Sequence, residues 1–181
     1  PNHRFINADI SSIGLPIKEK FDIITCFDVL FHIVDEEDFK HAIKNIQKLS
    51  NVTTIIFVMD NFLKKYKPAR GHEIDRTLKY YKKIFGTNLI TVEDIKPIYY
   101  FMNTPIDIER INNNFLRFLI KKIWWLNLKI SGFSKKIGKC GKPISYLWAF
   151  SLYCLDCIVL KYISIGPSTK LLFAKIKSEQ N

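Results

Sequence analysis

A short apolar run followed by an amphipathic helix constrains the fold of this chain more than any other feature. Asp22 to Phe27 is rich in isoleucine, as is a strand buried on both faces of a parallel sheet. From Asp35, the expected N-cap, apolar residues recur at three- and four-residue spacing, which predicts a helix. A strand, a loop and a helix form half of a βαβ unit. Because parallel sheets bind ligands beyond the carboxyl ends of their strands, Cys26 to Ile33 is the predicted site region.

Further apolar patterns predict the rest of an α/β sheet. The predicted elements are strands over 4–10, 53–59, 89–102 and 170–176, and a helix over 73–85. Gly86 is the expected end of the helix, and Pro97 places its strand at an edge or a bulge. The apolar runs over 22–27 and 53–59 flank one helix, so we expect these two strands to pair in parallel.

A long insertion over residues 103–165 separates the last two strands. It contains two apolar segments, Phe115 to Ile130 and Ile144 to Ile165, joined by a basic linker with two glycines. Asp156 and Lys161 interrupt the second segment, which favours a buried helical hairpin over a transmembrane helix. The expected organisation is a partial α/β domain over 1–102, a helical cap over 103–165, and the last strand with a tail over 166–181.

The net charge of +11 is carried by the later part of the chain, because residues 1–60 have six Lys or Arg and nine Asp or Glu. Such asymmetry is typical of proteins that bind nucleic acid or an anionic membrane, although a solvated lysine-rich face also produces it. Trp124 and Trp125 lie beside lysines, so residues 115–130 could contact a membrane peripherally instead of packing as a cap. No aromatic-basic RNA motif occurs, and nucleic acid is not the expected partner.

The four cysteines do not form a disulfide framework in a chain of this size, which favours a reducing, cytoplasmic compartment. Cys154 and Cys157 are expected to be small core residues of a helix. No second pair completes a zinc site, so no metal is predicted. The sequence starts with Pro1 instead of a methionine, and we expect a fragment or processed chain whose amino-terminal portion is missing.

The order of the elements resembles the later two-thirds of a class I S-adenosylmethionine-dependent methyltransferase. FDII at 21–24 and VLFHI at 29–33 are similar to the fourth-strand motif of that family and its continuation, and Asp9-Ile10 resembles the end of its third strand. The resemblance covers residues 4–100, and 170–176 as the seventh strand. It implies an α/β fold with a Rossmann-like, mostly parallel sheet, a C-terminal antiparallel strand, and a helical cap inserted before that strand.

The resemblance also implies a cofactor, S-adenosylmethionine. Asp9 would accept a hydrogen bond from the adenine amino group, and the amide of Ile10 would bind a ring nitrogen. Backbone groups of Cys26 and Phe27 would hold the methionine end, and Phe31 would line the pocket. For Asp9 a turn cap is the alternative. The glycine-rich loop and the acidic ribose-binding residue of the family are absent, so the chain alone is not expected to bind the cofactor well.

The implied reaction is methyl transfer, which depends largely on positioning. For an oxygen or nitrogen acceptor a base helps, and the candidates are His72 and then Asp60. A surface residue at the start of a helix is the alternative for His72, and His32 is expected to be packed. The apolar insertion predicts a small, hydrophobic or lipid-linked acceptor. The alternative function is a basic RNA-associated or membrane-peripheral protein that keeps the fold without catalysis.

Overall fold

The structure is a computed structural model and describes residues 3–163 and 166–177. The chain divides into two compact units. The first comprises Pro1–Ile95 and Leu172–Asn181, and the second comprises Lys96–Leu171. Each unit is described separately below. The domain boundaries expected at residues 102 and 165 stay a prediction.

The main sheet has four strands, β1 (Phe21–Phe27), β2 (Ser50–Asp60), β3 (Ile90–Pro97) and β4 (Lys170–Ile176), in the order β1-β2-β4-β3. β1 and β2 pair in parallel, as predicted. The amide of Lys177 donates to the carbonyl of Leu89 at 2.7 Å, so the end of β4 meets the start of β3. The sheet is therefore mostly parallel with an antiparallel C-terminal strand, and the predicted Rossmann-like α/β class is confirmed. Pro97 ends β3, which is an edge strand, as its missing N–H requires.

The helix α1 (Glu36–Leu49) supplies much of the apolar core. Its apolar residues at helical spacing are buried, namely Phe39, Ala42, Ile43, Ile46 and Leu49. Burial of each of the larger side chains contributes about 1.5–3 kcal/mol before the entropy of ordering is counted. The carboxylate of Asp35 accepts from the amides of Glu37 at 2.8 Å and Asp38 at 3.0 Å, so the predicted N-cap is confirmed.

β1 is less buried than the sequence pattern predicts. Ile23 is 60% exposed and Phe27 is 49% exposed, because β1 is the edge strand of the described sheet and pairs only with β2. The prediction of a strand buried on both faces is therefore wrong. An edge with exposed apolar side chains and unpaired backbone groups is a surface that another strand can join.

The segment predicted as a strand over 4–10 forms no strand. A strand needs a neighbour for its backbone hydrogen bonds, and no other described segment pairs with this one. Phe5 is 94% exposed and lacks apolar packing, whereas Ile10 at the end of the segment packs against the core.

The helix predicted over 73–85 is shorter at its start and longer at its end. It forms as α2 (Leu78–Thr87) and passes Gly86. Glu73 instead pairs with Arg70 in an antiparallel bridge, and the side chain of Thr77 caps α2 by accepting from the amide of Tyr80 at 3.1 Å. The backbone hydrogen bonds of residues 73, 74 and 76 therefore go to neighbouring loops rather than to a helix.

The second unit contains a hairpin of two helices, α3 (Asn114–Lys136) and α4 (Lys142–Val159). The indole N–H of Trp148 donates to the side-chain oxygen of Asn127 at 3.1 Å, which joins the two helices. Gly141 lies so close to α3 that a Cβ there would be 2.3 Å from the carbonyl oxygen of Ser134. Only glycine fits this approach.

Asp156 explains the acidic interruption of the second apolar segment. It is 2% exposed, and its carboxylate accepts from the amides of Tyr100, Phe101 and Met102 at 2.8–3.2 Å. A buried carboxylate with three N–H donors is satisfied and holds the 100–102 segment against α4.

The hairpin is not the buried one that the sequence predicts. The residues of its helices classed as buried are Ile120, Ser134, Leu152 and Asp156. Cys154 and Cys157 are exposed, so their expected core position is wrong. None of the described helices has both the length and the hydropathy required to cross a bilayer.

Candidate functional site

A cleft of about 550 Å³ lies beyond the carboxyl end of β1, where the sequence predicts the site. It is lined by Ala8, Asp9, Ile10, Ser11, Val29, His32, Ile33, Val34 and Asp38. We call it the Asp9–His32 cleft. It brings together the Asp9-Ile10 pair and the loop after β1, which are the two segments that the sequence assigned to the cofactor.

Asp9 caps its own turn. Its Oδ1 accepts from the amide and from the hydroxyl of Ser11, both at 2.8 Å, and these bonds lower the pKa of the exposed Asp9 carboxyl. The turn cap that the sequence left open is therefore present. Oδ2 accepts no hydrogen bond from the described residues. Asp9 is thus an ionised carboxylate in a cleft, with one oxygen left for an external donor.

Asn45 fixes the loop that carries Asp9. The residue is 4% exposed, and its Nδ2 donates to the carbonyls of Ile10 at 2.7 Å and Ser12 at 2.9 Å. The side-chain amide of Asn45, on α1, thereby holds the end of the 4–10 segment, which has no strand partner among the described residues. Sequence reasoning missed Asn45, because a polar residue in a helix is usually on the solvated face.

The other wall of the cleft starts where β1 ends. Cys26 and Phe27 lie opposite Val58 and Met59 in the parallel register. Burial raises the pKa of the Cys26 thiol to about 11, so this thiol is protonated and unreactive near neutral pH. Neither residue lines the Asp9–His32 cleft, and the cofactor-binding role of their backbone groups stays a prediction.

Asp28 follows β1 directly and has a φ of +53°. Residues other than glycine rarely adopt this left-handed conformation, although Asp and Asn do so more readily than others. Phe62, just beyond β2, also has a positive φ of +42°. Such backbone strain often accompanies functional sites, and here it lies at the carboxyl ends of two adjacent strands. The only sequence feature that relates to this backbone strain is the position of Asp28 directly after an apolar run.

Three aromatic rings line up from the loop after β1 to the next loop. The ring centroids of Phe31 and His32 are 4.1 Å apart, and those of His32 and His72 are 5.4 Å apart with planes 9° from parallel. His32 is exposed and lines the cleft, so the prediction that it is packed is wrong. Phe31 is half-buried beside the cleft but is not one of its lining residues.

A tight hairpin presents His72. The backbones of Arg70 and Glu73 exchange hydrogen bonds of 2.7 and 3.2 Å, and Gly71 at the first central position has a φ of +61°, which favours glycine. The amide of Ile74 donates to the carbonyl of Phe31 at 2.9 Å and ties the hairpin to the loop after β1. His72 is 82% exposed, and its Nε2 lies 3.6 Å from Oε1 of Glu73.

His32, His72 and Glu73 are the described residues that come nearest to a metal site. One ligand atom from each lies within 4.8 Å of the others. Two imidazoles and a carboxylate suit zinc, but tetrahedral bonds near 2.1 Å need ligand atoms about 3.4 Å apart. The group would have to contract, and the expectation of no metal stays a prediction.

Asp60, the second catalytic candidate, lies in the core. It is 1% exposed, accepts from the hydroxyl of Tyr81, and accepts from the amide of Asn61 at 2.6 Å. Burial raises the pKa of its carboxyl to about 6. A base must reach the proton that it removes, so this placement favours His72 for proton transfer and a structural role for Asp60.

Arg76 organises the loops around the site and was missed by sequence reasoning. Its side chain is 2% exposed and donates to the carbonyls of Leu30 at 3.3 Å and Ile33 at 2.7 Å. Its guanidinium carbon lies 3.9 Å from the centroid of the Phe39 ring, and Nε is 3.1 Å from Oε1 of Glu36. Nothing in the spacing of the 28 Lys and Arg residues indicates that Arg76 is buried.

No family model and no curated protein matches the sequence, but solved structures match its fold. The O-methyltransferase from the trans-AT PKS multienzyme of Brevibacillus brevis, in complex with S-adenosyl-L-homocysteine, is 13% identical with a TM-score of 0.52, covering 97% of this chain and 50% of that one. An S-adenosylmethionine-dependent methyltransferase from Clostridium acetobutylicum is 11% identical with a TM-score of 0.52, covering 98% of this chain and 66% of that one. The chain has the fold of these methyltransferases.

The chain spans half of the first of those proteins and just under two-thirds of the second. The residues that it contains fit part of a cofactor site. Asp9 keeps an acceptor oxygen in the cleft, which the loop after β1 also lines from Val29 onward, whereas Cys26 and Phe27 are not among its lining residues. No glycine-rich loop is among the residues of the cleft, consistent with the absence of that motif from the sequence.

Proposed function

We propose that this chain serves S-adenosylmethionine-dependent methyl transfer to a small, hydrophobic or lipid-linked acceptor. The observation that carries the proposal is the Asp9–His32 cleft, which holds a free carboxylate oxygen and the loop that follows β1, on a fold that known methyltransferases share. In open α/β sheets this edge is where ligands bind.

The cofactor would be held by groups at both walls of the cleft. Asp9 would accept from the adenine amino group through Oδ2, and the amide of Ile10 would donate to a ring nitrogen. Backbone groups at Cys26 and Phe27 would hold the amino-acid end, and Phe31 would contact the cofactor from the loop after β1. When bound, the cofactor supplies a methyl group activated by a sulfonium charge.

His72 would accept the proton of a hydroxyl or amine acceptor. Its exposure leaves a ring nitrogen accessible, and Glu73 at 3.6 Å would stabilise the imidazolium that forms. The stacked His32 would hold the His72 ring beside the cleft. His72 would hold the acceptor's proton after the acceptor has taken the methyl group, and S-adenosylhomocysteine would be the other product.

The apolar character of the second unit supports a hydrophobic acceptor. The alternative of a fold kept without catalysis is not favoured, because the similar structures above are methyltransferases. The exposed apolar edge of β1 and the missing glycine-rich loop support a further part of the proposal: another strand, bearing that loop, pairs with β1 in the complete cofactor site.

A transfer assay with S-[methyl-³H]adenosylmethionine tests the proposal. We expect tritium in an organic-extractable product when the protein is given hydroxylated lipids. Label that appears only in protein or RNA would contradict the acceptor class. If S-adenosylhomocysteine does not bind the protein, the proposed function is wrong.

A further inference from the structure

The surface of the α3–α4 hairpin is apolar and basic at the same time. Bulky apolar side chains more than half exposed are Phe115, Phe118, Trp125, Leu128, Phe133, Tyr146, Leu147, Phe150, Tyr153 and Ile158. Monomeric proteins rarely expose so many neighbouring large apolar side chains without a binding partner. This surface therefore requires an occupant.

The apolar residues are ordered along each helix. Phe115, Leu119, Leu126 and Phe133 recur at intervals of four and seven, which places them on one face of α3. On α4, residues 146, 150 and 153 form a stripe of three exposed aromatic side chains with the same helical spacing. Each helix thus has an exposed face rich in apolar side chains in addition to the one that packs in the hairpin, and on α3 this face also contains Lys122 and Lys129.

The charge of the hairpin identifies the occupant. Residues 111–155 contain eight Lys or Arg and no Asp or Glu. Lys122 lies 5.7 Å from the Phe118 ring centroid, and Lys129 lies 5.2 Å from that of Trp125, so lysines are interleaved with the aromatic rings. A protein partner or a second copy would have to bury these ammonium groups. At a bilayer surface they stay in the headgroup layer while the rings enter the acyl boundary.

We infer that the α3–α4 hairpin docks on the surface of an anionic lipid bilayer. The helices lie in the interface instead of crossing it, in agreement with the lack of a spanning helix in the described chain. The aromatic and leucine side chains supply apolar burial, and the lysines attract anionic headgroups. This inference does not depend on the proposed methyl transfer. Together, the two would place the reaction at a membrane, where a lipid-linked acceptor resides.

Tryptophan fluorescence tests the inference in the intact protein. The three tryptophans, Trp124, Trp125 and Trp148, all lie in the hairpin, so the emission reports on this surface alone. We expect a blue shift with phosphatidylcholine vesicles that contain phosphatidylglycerol, a smaller one with phosphatidylcholine alone, and weakening by salt. Absence of binding to anionic vesicles at low salt would overturn the inference.

Charge variants separate this surface from the general basicity of the protein. Lys122→Gln combined with Lys129→Gln should weaken vesicle binding about 25-fold, since each lysine near the membrane surface contributes about fivefold. Lys82→Gln combined with Lys83→Gln removes the same charge from exposed positions on α2 and should change binding less than about twofold by the same reasoning. Equal weakening by both pairs would contradict a specific docking face.

Two other occupants are distinguished by the same reagents. If the hairpin binds a second copy, gel filtration will show a dimer without lipid, and vesicles will not shift the emission. If it binds nucleic acid, single-stranded RNA will give the blue shift and will displace the protein from vesicles. Either result overturns the inference. Phe115→Ser with Phe133→Ser should weaken flotation with anionic vesicles while circular dichroism stays unchanged, because both side chains are exposed.

Discussion

The imidazole rings of His32 and His72 stack with their centroids 5.4 Å apart, although 40 residues separate them in the chain. His32 ends the turn after β1, and His72 lies on the hairpin that follows β2. The pair therefore joins the loops beyond two adjacent parallel strands. It is the point at which the Asp9–His32 cleft meets the candidate base.

Replacement of His72 by Asn should lower the rate of methyl transfer to a hydroxyl acceptor by about 100-fold or more, because a general base typically contributes that much. Binding of S-adenosylhomocysteine should be unchanged, since the variant removes proton transfer alone. Turnover and affinity are measured separately. His41→Gln, a change on α1, is the matched control. A His72→Asn enzyme with the full rate would remove His72 from the mechanism.

Asn45→Ala should destabilise the protein by about 1–2 kcal/mol, because the carbonyls of Ile10 and Ser12 lose hydrogen bonds from a buried donor. It should also weaken S-adenosylhomocysteine binding, since the Asp9 loop is no longer held. Asn45 contacts no cofactor in this account, so it is a positioning residue. Urea unfolding and titration calorimetry give the two values. Loss of stability with full affinity would mean that the loop keeps its shape without this amide.

Arg76→Met should lower the free energy of unfolding by about 3 kcal/mol or more, because Glu36 and two carbonyls lose a buried partner. The exposed pair of Arg4 with Glu19 offers the control, and Arg4→Met should cost less than about 1 kcal/mol. Urea unfolding compares the two. Similar small losses would show that Arg76 is not the anchor of the loop after β1.

Asp60 predicts a pH dependence of stability. Its pKa is about 6 in the folded protein and about 3.9 when unfolded, so the folded state binds the proton more tightly. The free energy of unfolding should fall as pH rises from about 4 to 6, by an amount on the order of 2–3 kcal/mol. Asp60→Asn should lack this loss, which appears as the difference between the two pH profiles.

The exposed Asp22→Asn variant, on β1, is the control for that experiment and should follow the wild-type profile. Other carboxyls, such as those of Asp9 and Asp35, have lowered pKa values and contribute the opposite slope. Because the wild type and Asp60→Asn share these carboxyls, their contribution cancels in the difference between the two pH profiles. Identical profiles for the wild type and Asp60→Asn would show that the pKa of the Asp60 carboxyl is the same in the folded and the unfolded protein.

Local sequence patterns were sufficient for elements whose signals are local. The N-cap at Asp35, the apolar face of α1 and the strand over 170–176 form as predicted, because capping and periodicity depend on neighbouring residues. The strand predicted over 4–10 does not form, because a strand also needs a partner and no other described segment pairs with this one. Helix α2 starts later than predicted because residues 73, 74 and 76 bond to other loops.

A cleft lies at the edge of the sheet where the sequence predicts the site, but only some of the residues around it were predicted. The edge beyond β1 follows from topology, and the fold follows from the order of elements. Asn45, Arg76 and the stacking of His32 on His72 depend on contacts 33 to 46 residues apart, which no spacing in the sequence reveals. The roles of Asp9, Ile10 and the β1 backbone stay predictions.

The most direct test of the central claim is an amide NMR titration of the isotope-labelled protein with S-adenosylhomocysteine. We predict that the largest shifts occur at Ile10, Ser11, Phe27 and Asp28, and that Asp9→Asn weakens binding about tenfold through loss of a charge-assisted hydrogen bond. The exposed Glu93→Gln variant on β3 should bind like the wild type. Shifts that lie elsewhere, or an Asp9→Asn variant with unchanged affinity, would contradict the assignment of the Asp9–His32 cleft as the cofactor site.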